Sequence, residues 1–367
     1  MRIDRLELEG FRNYVQEAAD FDSRCNVICG ENAQGKTNLL EALVYLSRGK
    51  SPRARTDREM IGFQEDSARL LAGVESRDRA FRVQADLYKG KRRRLTVNQV
   101  PVKTAAALGS VYNTVLFQPE DLYLIREGAA ARRRFMDTAL CQLRPRYAAA
   151  LSGYERAREQ KTRILKDCDQ RPDLLSALPE FNGQMIRLGA ALIHYRHQFC
   201  LRLAEVAAAC HRECSGGREV LDLAYQTVSS VQDPGAETAV LAEDLRRHME
   251  SHREAELHSR LCLSGPHKDD LLVSIDGRDA RQYASQGQTR TAALALKLAE
   301  REIYKNAAGE YPVLLLDDVL SELDPRRQEF VLNRIAGGQV FITCCEEDRL
   351  PSLLGGKVFR VEQGRIL

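Results

Sequence analysis

The stretch GENAQGKTNLLEAL, residues 30–43, contains Gly30 and Gly35 separated by four residues and followed directly by Lys36 and Thr37. The short apolar run RCNVICG before it predicts a strand. Apolar residues at helical spacing predict a helix from Thr37 to about Arg48. A strand, a glycine loop and a helix in this order are the context in which the Gly-x-x-x-x-Gly-Lys-Thr pattern is a phosphate-binding loop.

Each residue type in this loop has a chemical reason. The glycines let backbone N–H groups wrap the phosphates, Lys36 reaches the β and γ oxygens, and the Thr37 hydroxyl ligates Mg²⁺. The helix N-terminus adds a favourable dipole. We therefore predict that the loop binds a nucleoside triphosphate through Gly30, Glu31, Asn32, Ala33, Gln34, Gly35, Lys36, Thr37 and Asn38.

A second half of the site is predicted at PVLLLDDVLSELD, residues 312–324. An apolar strand there ends in Asp317, a candidate Mg²⁺ ligand, and Asp318, placed where a water-activating carboxylate is needed. Asp317 follows Lys36 by 281 residues (317 − 36). Kinases and small GTPases close their sites within a much shorter span, so this gap predicts a nucleotide-binding head whose halves are separated by an insertion.

A third element, YASQGQTRTAALALKLAE at residues 283–300, stands just upstream of the acidic strand. A serine and a glycine at a helix start can bind phosphate without a glycine loop, as in ATPases that trap nucleotide between two subunits. The same pattern also suits an ordinary helix N-cap. The candidate phosphate-binding residues here are Ser285, Gln286, Gly287 and Gln288.

The order of patterns along the chain is α/β, then helical, then α/β. Alternation predicts strands over residues 2–9, 67–75, 80–88 and 93–100. Residues 145–213 are helical with a break at DQRPD, which predicts an antiparallel helix pair with arms of at most ~50 Å at 1.5 Å per residue. We predict an α/β head formed by residues 1–144 and 257–367, with an inserted helical domain at 145–256.

Bulk composition excludes several classes of protein. The N-terminus MRIDRLELEG has charges where a signal peptide needs an apolar core, and no run approaches the ~18 apolar residues of a membrane span. We expect a soluble, cytoplasmic protein without a membrane partner. Ten cysteines occur without a Cys-x-x-Cys pair, so we expect reduced thiols rather than zinc or disulfides.

Lysines and arginines (55) nearly balance aspartates and glutamates (52), so any nucleic-acid surface must come from local clusters. Charge runs are usually solvated faces. Their joint surplus in the head favours contacts to DNA phosphates, with strong salt dependence. The clusters contain Arg48, Lys50, Arg53, Arg55 and Arg58, then residues 89–94 with Arg92 and Arg93, then residues 132–134.

The chain resembles the RecF family of SMC-class, ABC-type ATPase heads. The resemblance rests on LELEGFRNY, the glycine loop, LFQPEDLYLIREG, RRRFMD, SGPHKDDL, SQGQTRTAALALKLAE, LLLDDVLSELD and FITCCE, in this order over essentially the whole chain. It implies an ABC-type head with a short helix pair rather than the long coiled coil of SMC proteins.

The resemblance also implies roles for single residues. Arg12 and Asn13 would flank the phosphates, Gln118 would lie near Mg²⁺ and the attacking water, and Ser285 would reach the γ-phosphate of the opposite subunit. Thr343 stands where transporters of this superfamily carry a histidine. Asp318 replaces the transporter glutamate and is shorter by one methylene, which implies slow hydrolysis.

The function implied by the resemblance is recombinational DNA repair. ATP would favour a homodimer that binds gapped or junction DNA and, with RecO and RecR, helps to load RecA. Two alternatives remain at this point. A transporter's nucleotide-binding subunit would respond to a membrane partner, and an SMC-like chromosome organiser would hold DNA as a topological ring.

Overall fold

The computed structural model describes residues 1–345 and 355–367. Its strands are β1 (Arg2–Phe11), β2 (Tyr14–Asp20), β3 (Cys25–Cys29), β4 (Ser67–Ser76), β5 (Arg79–Tyr88), β6 (Arg94–Val97), β7 (Val100–Pro101), β8 (Thr114–Phe117), β9 (Leu221–Gln226), β10 (Asp270–Ile275), β11 (Arg278–Asp279), β12 (Val313–Leu316), β13 (Val340–Cys344), β14 (Lys357–Glu362) and β15 (Arg365–Ile366). Its α-helices are α1 (Lys36–Arg48), α2 (Ala106–Gly109), α3 (Ala129–Leu143), α4 (Pro145–Asp167), α5 (Leu178–Ser215), α6 (Thr238–Ser251), α7 (Arg253–Ser259), α8 (Ala280–Tyr283), α9 (Gln286–Ala308) and α10 (Pro325–Arg334).

The chain divides into two compact units, one of residues 1–122 with 293–367 and the other of residues 123–292. The second unit is wider than the helical insertion that we predicted at 145–256. Its additional segments include β10, which pairs antiparallel with β9 from Asp270 opposite Gln226 to Ile275 opposite Leu221. These strand hydrogen bonds tie residues near 270, which we had assigned to the head, to the helical unit.

Two sheets form the first unit. An antiparallel sheet has the order β2-β1-β4-β5-β6-β7, and a mainly parallel sheet has the order β15-β14-β3-β13-β12-β8. One buried apolar cluster contains residues of both sheets together with α1. The sequence of α1 is apolar around most of its circumference, which is typical of a helix enclosed on several sides.

The parallel strands β3, β12 and β13 consist of short apolar runs because both faces of such a sheet are covered. β3 lies between β14 and β13, which come from the other end of the chain. In a parallel sheet all strands end at the same edge, so the residues after β3, β8, β12 and β13 meet there.

The second unit contains the predicted antiparallel helix pair, α4 and α5. At one end, Ile164 and Leu165 share a small apolar cluster with Leu178. At the other end, the Arg196 Nε donates to the Tyr147 hydroxyl over 3.0 Å. The 23 residues of α4 span ~34 Å and the 38 residues of α5 span ~57 Å, so our limit of ~50 Å per arm is wrong for α5.

Buried charges hold the second unit together around Arg196. Its guanidinium pairs with Asp137 and with the fully buried Asp269 at 2.8 Å each. Asp269 also accepts hydrogen bonds from the Tyr225 and Thr227 hydroxyls. Because each charged group has partners, the desolvation that burial imposes is offset within the cluster.

Candidate functional site

The loop between β3 and α1 has a backbone that requires its glycines. Gly30 has φ +154° and Gly35 has φ +125°. A Cβ at Gly30 would collide with the carbonyl oxygen of Val361, and one at Gly35 would lie 2.8 Å from Asn13 Nδ2. Both positions therefore require glycine, for their backbone conformation and for the close approach of Val361 and Asn13, which is how a backbone phosphate cradle is built.

Lys36, the first residue of α1, folds back over the loop. Its side chain is buried, and Nζ donates to the carbonyl of Gly30 and lies 3.4 Å from Cys345 Sγ. The ammonium group thus lies against the glycine loop. An anion bound there can replace the weak contact between Lys36 Nζ and Cys345 Sγ.

Asp317 follows β12 and is held by two hydroxyls. Thr37 donates to its Oδ1 over 3.0 Å and Thr343 donates to the same oxygen over 2.9 Å. Burial raises the pKa of Asp317 above its usual value, while these two hydrogen bonds oppose that rise. Within the described chain, Oδ2 receives no hydrogen bond and is the oxygen left for a cation.

Asp318 has the left-handed backbone conformation, with φ +54°. Its N–H donates to the Thr343 hydroxyl over 2.8 Å, and its carbonyl accepts from the Ser321 hydroxyl. A non-glycine residue in this conformation is strained unless its surroundings hold it, and such strain is concentrated at functional sites. The backbone therefore turns at Asp318 instead of continuing in the direction of β12, and Asp318 is half-exposed.

Gln118 reaches the same edge of the sheet from β8. Phe117 pairs with Leu316 in the parallel register, so Gln118 and Asp317 follow neighbouring strand ends. The Gln118 backbone N–H donates to Asp121 over 2.9 Å. The register therefore brings Gln118 to Asp317, although almost two hundred residues separate them in the sequence.

Arg12 is positioned through Glu41, a residue of α1 that our sequence reasoning did not single out. Arg12 donates to both Glu41 oxygens over 2.8 and 2.7 Å, and Arg53 and Ser51 donate to the same carboxylate. The Glu41 side chain is completely buried. A lone carboxylate in an otherwise apolar helix face is the signal that could have found it.

Asn13 connects the loop to its surroundings. Its Nδ2 donates to the Gln34 carbonyl over 2.8 Å, and Asn38 donates to its Oδ1 over 2.8 Å. Gln34 in turn accepts the N–H of Gln363 at its side chain. Asn13 therefore joins the C-terminal end of the glycine loop to the first turn of α1. Glu31 and Asn32 are exposed, and Asn32 accepts a hydrogen bond from Cys345 Sγ.

Two cavities open beside the loop. One of about 1440 Å³ lies between the loop and the β14–β15 hairpin. The other, of about 460 Å³, is lined by Arg12, Asn13, Asn38, Arg53, Ala54, Glu59, Ile61 and Phe63. Phe63, one of these lining residues, is fully exposed, so its ring is available for stacking. The sequence offered no periodic pattern that would have marked this residue.

Ser285 lies in the second unit, directly before α9. Its hydroxyl accepts the N–H of Gln288 over 3.2 Å, while the Gln288 side chain accepts the N–H of Ser285 over 2.8 Å. This is a reciprocal capping box, so the N-cap interpretation holds. Ser285 and Gln286 are exposed, and Gly287 and Gln288 are partly exposed, so this helix end is also accessible to an anion.

The predicted basic surface separates into exposed and internally bonded residues. Lys50, Arg55 and Arg92 are exposed, and no carboxylate of the described residues pairs with their side chains. Arg58 is exposed as well. Three others form internal hydrogen bonds: Arg48 to the Thr114 carbonyl, Arg53, which is also exposed, to Asn38 and Glu41, and Arg93 to Tyr45, Gly49 and Asp57.

The third basic cluster is not a surface patch. Arg132 is buried and pairs with both oxygens of Asp270 over 2.7 and 2.8 Å. Arg133 donates to the Asp269 carbonyl, and burial lowers its pKa. Of the three, Arg134 alone is largely exposed. Our inclusion of residues 132–134 in one DNA-facing cluster is therefore wrong for Arg132, because consecutive residues of a helix project in different directions around its axis.

Two further features bear on the class of protein. No α-helix in residues 1–345 and 355–367 is both long and apolar enough to cross a membrane. In the same residues, no group of three or more His, Cys, Asp or Glu side chains is arranged to hold a metal ion. The last residue of the FITCCE motif, Glu346, lies outside the described residues.

Comparison with known proteins gives a consistent result. A family model described as the RecF/RecN/SMC N terminal domain matches residues 2–363. A DNA replication and repair protein RecF from Agathobacter rectalis is 40% identical over 370 residues, covering 100% of this chain and 99% of that protein. The protein of the same name from Bacillus subtilis strain 168 is 38% identical and covers 100% of both chains.

Solved structures extend the likeness to three dimensions. A structure of the recombination mediator protein RecF-ATPrS in the RecFOR pathway has a TM-score of 0.92 at 31% identity, covering 100% of this chain and 97% of that one. The Smc head domain of Pyrococcus furiosus has a TM-score of 0.56 at 15% identity, covering 100% and 95%, and shares the fold alone. The predicted ABC-type head is confirmed, and the chain belongs to the RecF family.

Proposed function

We propose that this protein is an ATP-binding and ATP-hydrolysing protein of recombinational DNA repair that dimerises on ATP and binds DNA. The observation that carries the proposal is the joining of Thr37 and Asp317 by a 3.0 Å hydrogen bond at the end of a glycine loop. A hydroxyl and a carboxylate in contact beside a backbone phosphate cradle form the ligand set of a Mg²⁺–triphosphate site.

The residues present fit Mg²⁺ and ATP. Thr37, Asp317 and the neighbouring Gln118 would hold the cation, which when bound neutralises phosphate charge. Lys36 exchanges its contacts to the Gly30 carbonyl and Cys345 for phosphate oxygens. Asp318, held by Thr343, orients water, and its short side chain accounts for slow turnover. Since Thr343 is a hydroxyl that positions both aspartates, it serves the site without being a titrating group.

The cavity beside Asn38 suits the nucleoside. Arg12 and Asn13 supply polar groups at its inner wall, and Ala54, Ile61 and Phe63 supply apolar surface. A base that stacks on the exposed Phe63 ring gains about 1–3 kcal/mol. We therefore assign the base to this cavity and the phosphates to the glycine loop.

The exposed helix end at Ser285 supplies the second half of each site from another copy of the chain. It belongs to a different compact unit from the glycine loop, and Ser285 and Gln286 are exposed. ATP can stabilise a dimer only by binding it more tightly than the monomer. A bound ATP that contacts Ser285 of a second copy provides this difference, and hydrolysis removes it.

The DNA surface includes Lys50, Arg55 and Arg92, which are exposed and form no ion pair with a carboxylate of the described residues. Such contacts are to phosphates, so we expect binding to gapped, junction and duplex DNA with a strong salt dependence. The RecF structures that resemble this chain are described in the RecFOR pathway. We propose that this protein likewise acts with RecO and RecR to promote loading of RecA.

Sedimentation velocity tests the proposal. We expect ATP, and not ADP, to raise the dimer fraction of the wild type. Lys36→Met should abolish the response by removing phosphate binding, and Ser285→Arg should abolish it while leaving ATP binding to the monomer intact. Gln282→Arg, which adds the same charge at an exposed position three residues earlier, is the matched control and should dimerise normally.

Two results would contradict the proposed mechanism. If ATP leaves the wild type monomeric, ATP does not drive assembly. If Ser285→Arg dimerises like Gln282→Arg, the second copy does not reach the nucleotide through this helix end.

A further inference from the structure

Two thiols meet at the edge of the parallel sheet where the nucleotide site begins. Cys29 is the last residue of β3 and Cys344 is the last residue of β13, and the two are paired in the strand register. Their Sγ atoms lie 3.2 Å apart. Neither is bonded to another cysteine. Neither thiol has a role in the binding or hydrolysis of nucleotide described above.

The backbone geometry suits a covalent bond between them. Side chains that are paired in register lie on the same face of a sheet, and neighbouring strands are about 4.8 Å apart. A disulfide requires Cα atoms about 4.4–6.8 Å apart, and its sulfurs are about 2.05 Å apart. The two sulfurs therefore need to approach by roughly 1 Å for the bond to form.

Their surroundings explain why such a bond would matter. Cys29 directly precedes Gly30, whose carbonyl accepts from Lys36. Cys344 lies between Thr343, which holds Asp317 and Asp318, and Cys345, whose sulfur lies 3.4 Å from Lys36 Nζ. A contraction between the two strand ends therefore shifts the groups on both sides of the phosphate position.

We propose that Cys29 and Cys344 are a redox modification site, at which oxidation by a hydroperoxide or a small disulfide forms a reversible bond that weakens nucleotide binding. The consequence for nucleotide rests on the proposed function, whereas the formation of the bond does not.

The chemistry balances with either oxidant. A hydroperoxide ROOH transfers one oxygen to the thiol of Cys344, which becomes a sulfenic acid, and ROH is released. The Cys29 sulfur then attacks this sulfur, the S–O bond breaks and water leaves. With a small disulfide RSSR, the Cys344 thiolate forms a mixed disulfide and releases RSH, and attack by Cys29 releases the second RSH.

Cys344 is the thiol attacked first because it is partly exposed, whereas Cys29 is buried. Burial, with the neighbouring Cys29, raises the pKa of Cys344, so little thiolate is present at neutral pH. Since the thiolate is the reactive form, oxidation is slow at pH 7 and accelerates as pH rises. The ammonium of Lys36 favours the Cys344 thiolate, whereas Cys345 and Cys29 oppose it. Asp318 lies on the far side of Cys345, whose sulfur contacts its carboxylate.

Peptide mapping and nucleotide binding on the full chain test the proposal. The protein is treated with hydrogen peroxide or oxidised glutathione at pH 7 and pH 9, in the wild type and in Cys345→Ser, which removes the exposed neighbouring thiol. We expect a peptide that links residues 29 and 344, formed faster at pH 9. ATP affinity should fall about tenfold, because small displacements of positioned groups have large effects, and dithiothreitol should restore it.

Cys29→Ser and Cys344→Ser are the decisive variants. Neither should form the linked peptide. Cys344→Ser combined with Cys345→Ser, which removes both accessible thiols at this edge, should bind ATP equally before and after oxidant. The absence of the linked peptide in wild type overturns the proposal, and a linked protein with unchanged ATP affinity overturns its effect on the site. If the reduced wild type binds no ATP, the proposed function fails, while the linked peptide still reports on the thiol pair.

Discussion

The Thr343 hydroxyl lies 2.9 Å from Oδ1 of Asp317 and 2.8 Å from the backbone nitrogen of Asp318. One side chain thus donates to the Asp317 carboxylate and accepts from the Asp318 backbone N–H, so this hydroxyl links the first carboxylate to the backbone of the second aspartate. In the transporters of the superfamily this region carries an imidazole, whereas a hydroxyl does not titrate near neutral pH.

Thr343→Val should therefore separate hydrolysis from binding. Loss of the hydroxyl leaves the Asp318 N–H unsatisfied and removes one bond to Asp317, which should cost about 1–3 kcal/mol of unfolding free energy. We expect the ATP turnover number to fall at least about tenfold, as for other lost positioning contacts, with ATP affinity changed little. Thr343→Ser keeps the hydroxyl and should retain most activity. Equal turnover in the Val and Ser variants would refute this role.

Glu41 should make the fold sensitive to acid. Burial raises the pKa of Glu41, but hydrogen bonds from Arg12 and Ser51 and the charge of Arg53 outweigh it, so the pKa lies below its usual value of 4.5. The stabilisation is therefore complete above pH 4.5, the unfolded value, and is lost as pH falls through the lower folded pKa. Glu41→Ala should cost about 3 kcal/mol at pH 7, because it leaves two arginines without their partner.

Urea unfolding of the wild type and Glu41→Gln at several pH values measures this effect. The difference in unfolding free energy should be largest near pH 7 and should shrink below pH 4.5. Asp66→Asn, at a fully exposed carboxylate, is the matched control and should give a small difference at every pH. A gap between wild type and Glu41→Gln that widens in acid would disprove the assignment.

Phe63→Ala should weaken the binding of ATP without weakening the binding of inorganic tripolyphosphate. If the base stacks on this ring, the loss of about 1–3 kcal/mol corresponds to a 5- to 150-fold higher Kd for ATP. Tripolyphosphate binds through the glycine loop alone and should be unaffected. Isothermal titration calorimetry measures both ligands, and Val100→Ala, which removes an exposed apolar side chain that does not line this cavity, controls for surface effects. Equal losses for both ligands would place the base elsewhere.

The triple variant Lys50→Ala, Arg55→Ala, Arg92→Ala should bind DNA with a weaker salt dependence. The slope of log K against log salt is negative, and each lost phosphate contact reduces its magnitude by about 0.9. We therefore expect the magnitude of the slope to fall by up to roughly 3 in the triple variant. Fluorescence anisotropy at 50–200 mM salt measures the slope.

The matched control removes three exposed positive charges outside the predicted clusters, Arg77, Arg79 and Lys103. Because the change in net charge is the same, a general electrostatic effect would lower both slopes equally. That outcome would reject a specific DNA surface at Lys50, Arg55 and Arg92.

Much of the site could be predicted from sequence because its parts are local. Short patterns of spacing and residue type indicate the chemistry of three features: the glycine loop, the aspartates after β12 and the serine before α9. The strands β3 and β12, which precede the glycine loop and the two aspartates, could be predicted as well. They are apolar runs because both faces of their sheet are buried.

The remaining features depend on contacts between distant parts of the chain. No short pattern shows that Glu41 binds Arg12 and Arg53, or that Arg132 turns inward to Asp270. The pairing of β10 with β9, which widens the second unit, is likewise a long-range contact. The same charged residue types that cover surfaces also form buried pairs, so composition alone does not separate Arg93, which is bonded internally, from Arg92, which is exposed.

The place of β3 in its sheet has a consequence for biosynthesis. Both of its neighbours, β13 and β14, are encoded at the far end of the chain. At roughly 5–20 residues per second, a ribosome needs about 15–60 s to proceed from β3 to β13. During this time β3 and the glycine loop have no neighbouring strands to pair with. The ability to hold nucleotide therefore arises only after β13 and β14 have been synthesised, and chains truncated before residue 340 should be targets for chaperones and proteases rather than partial enzymes.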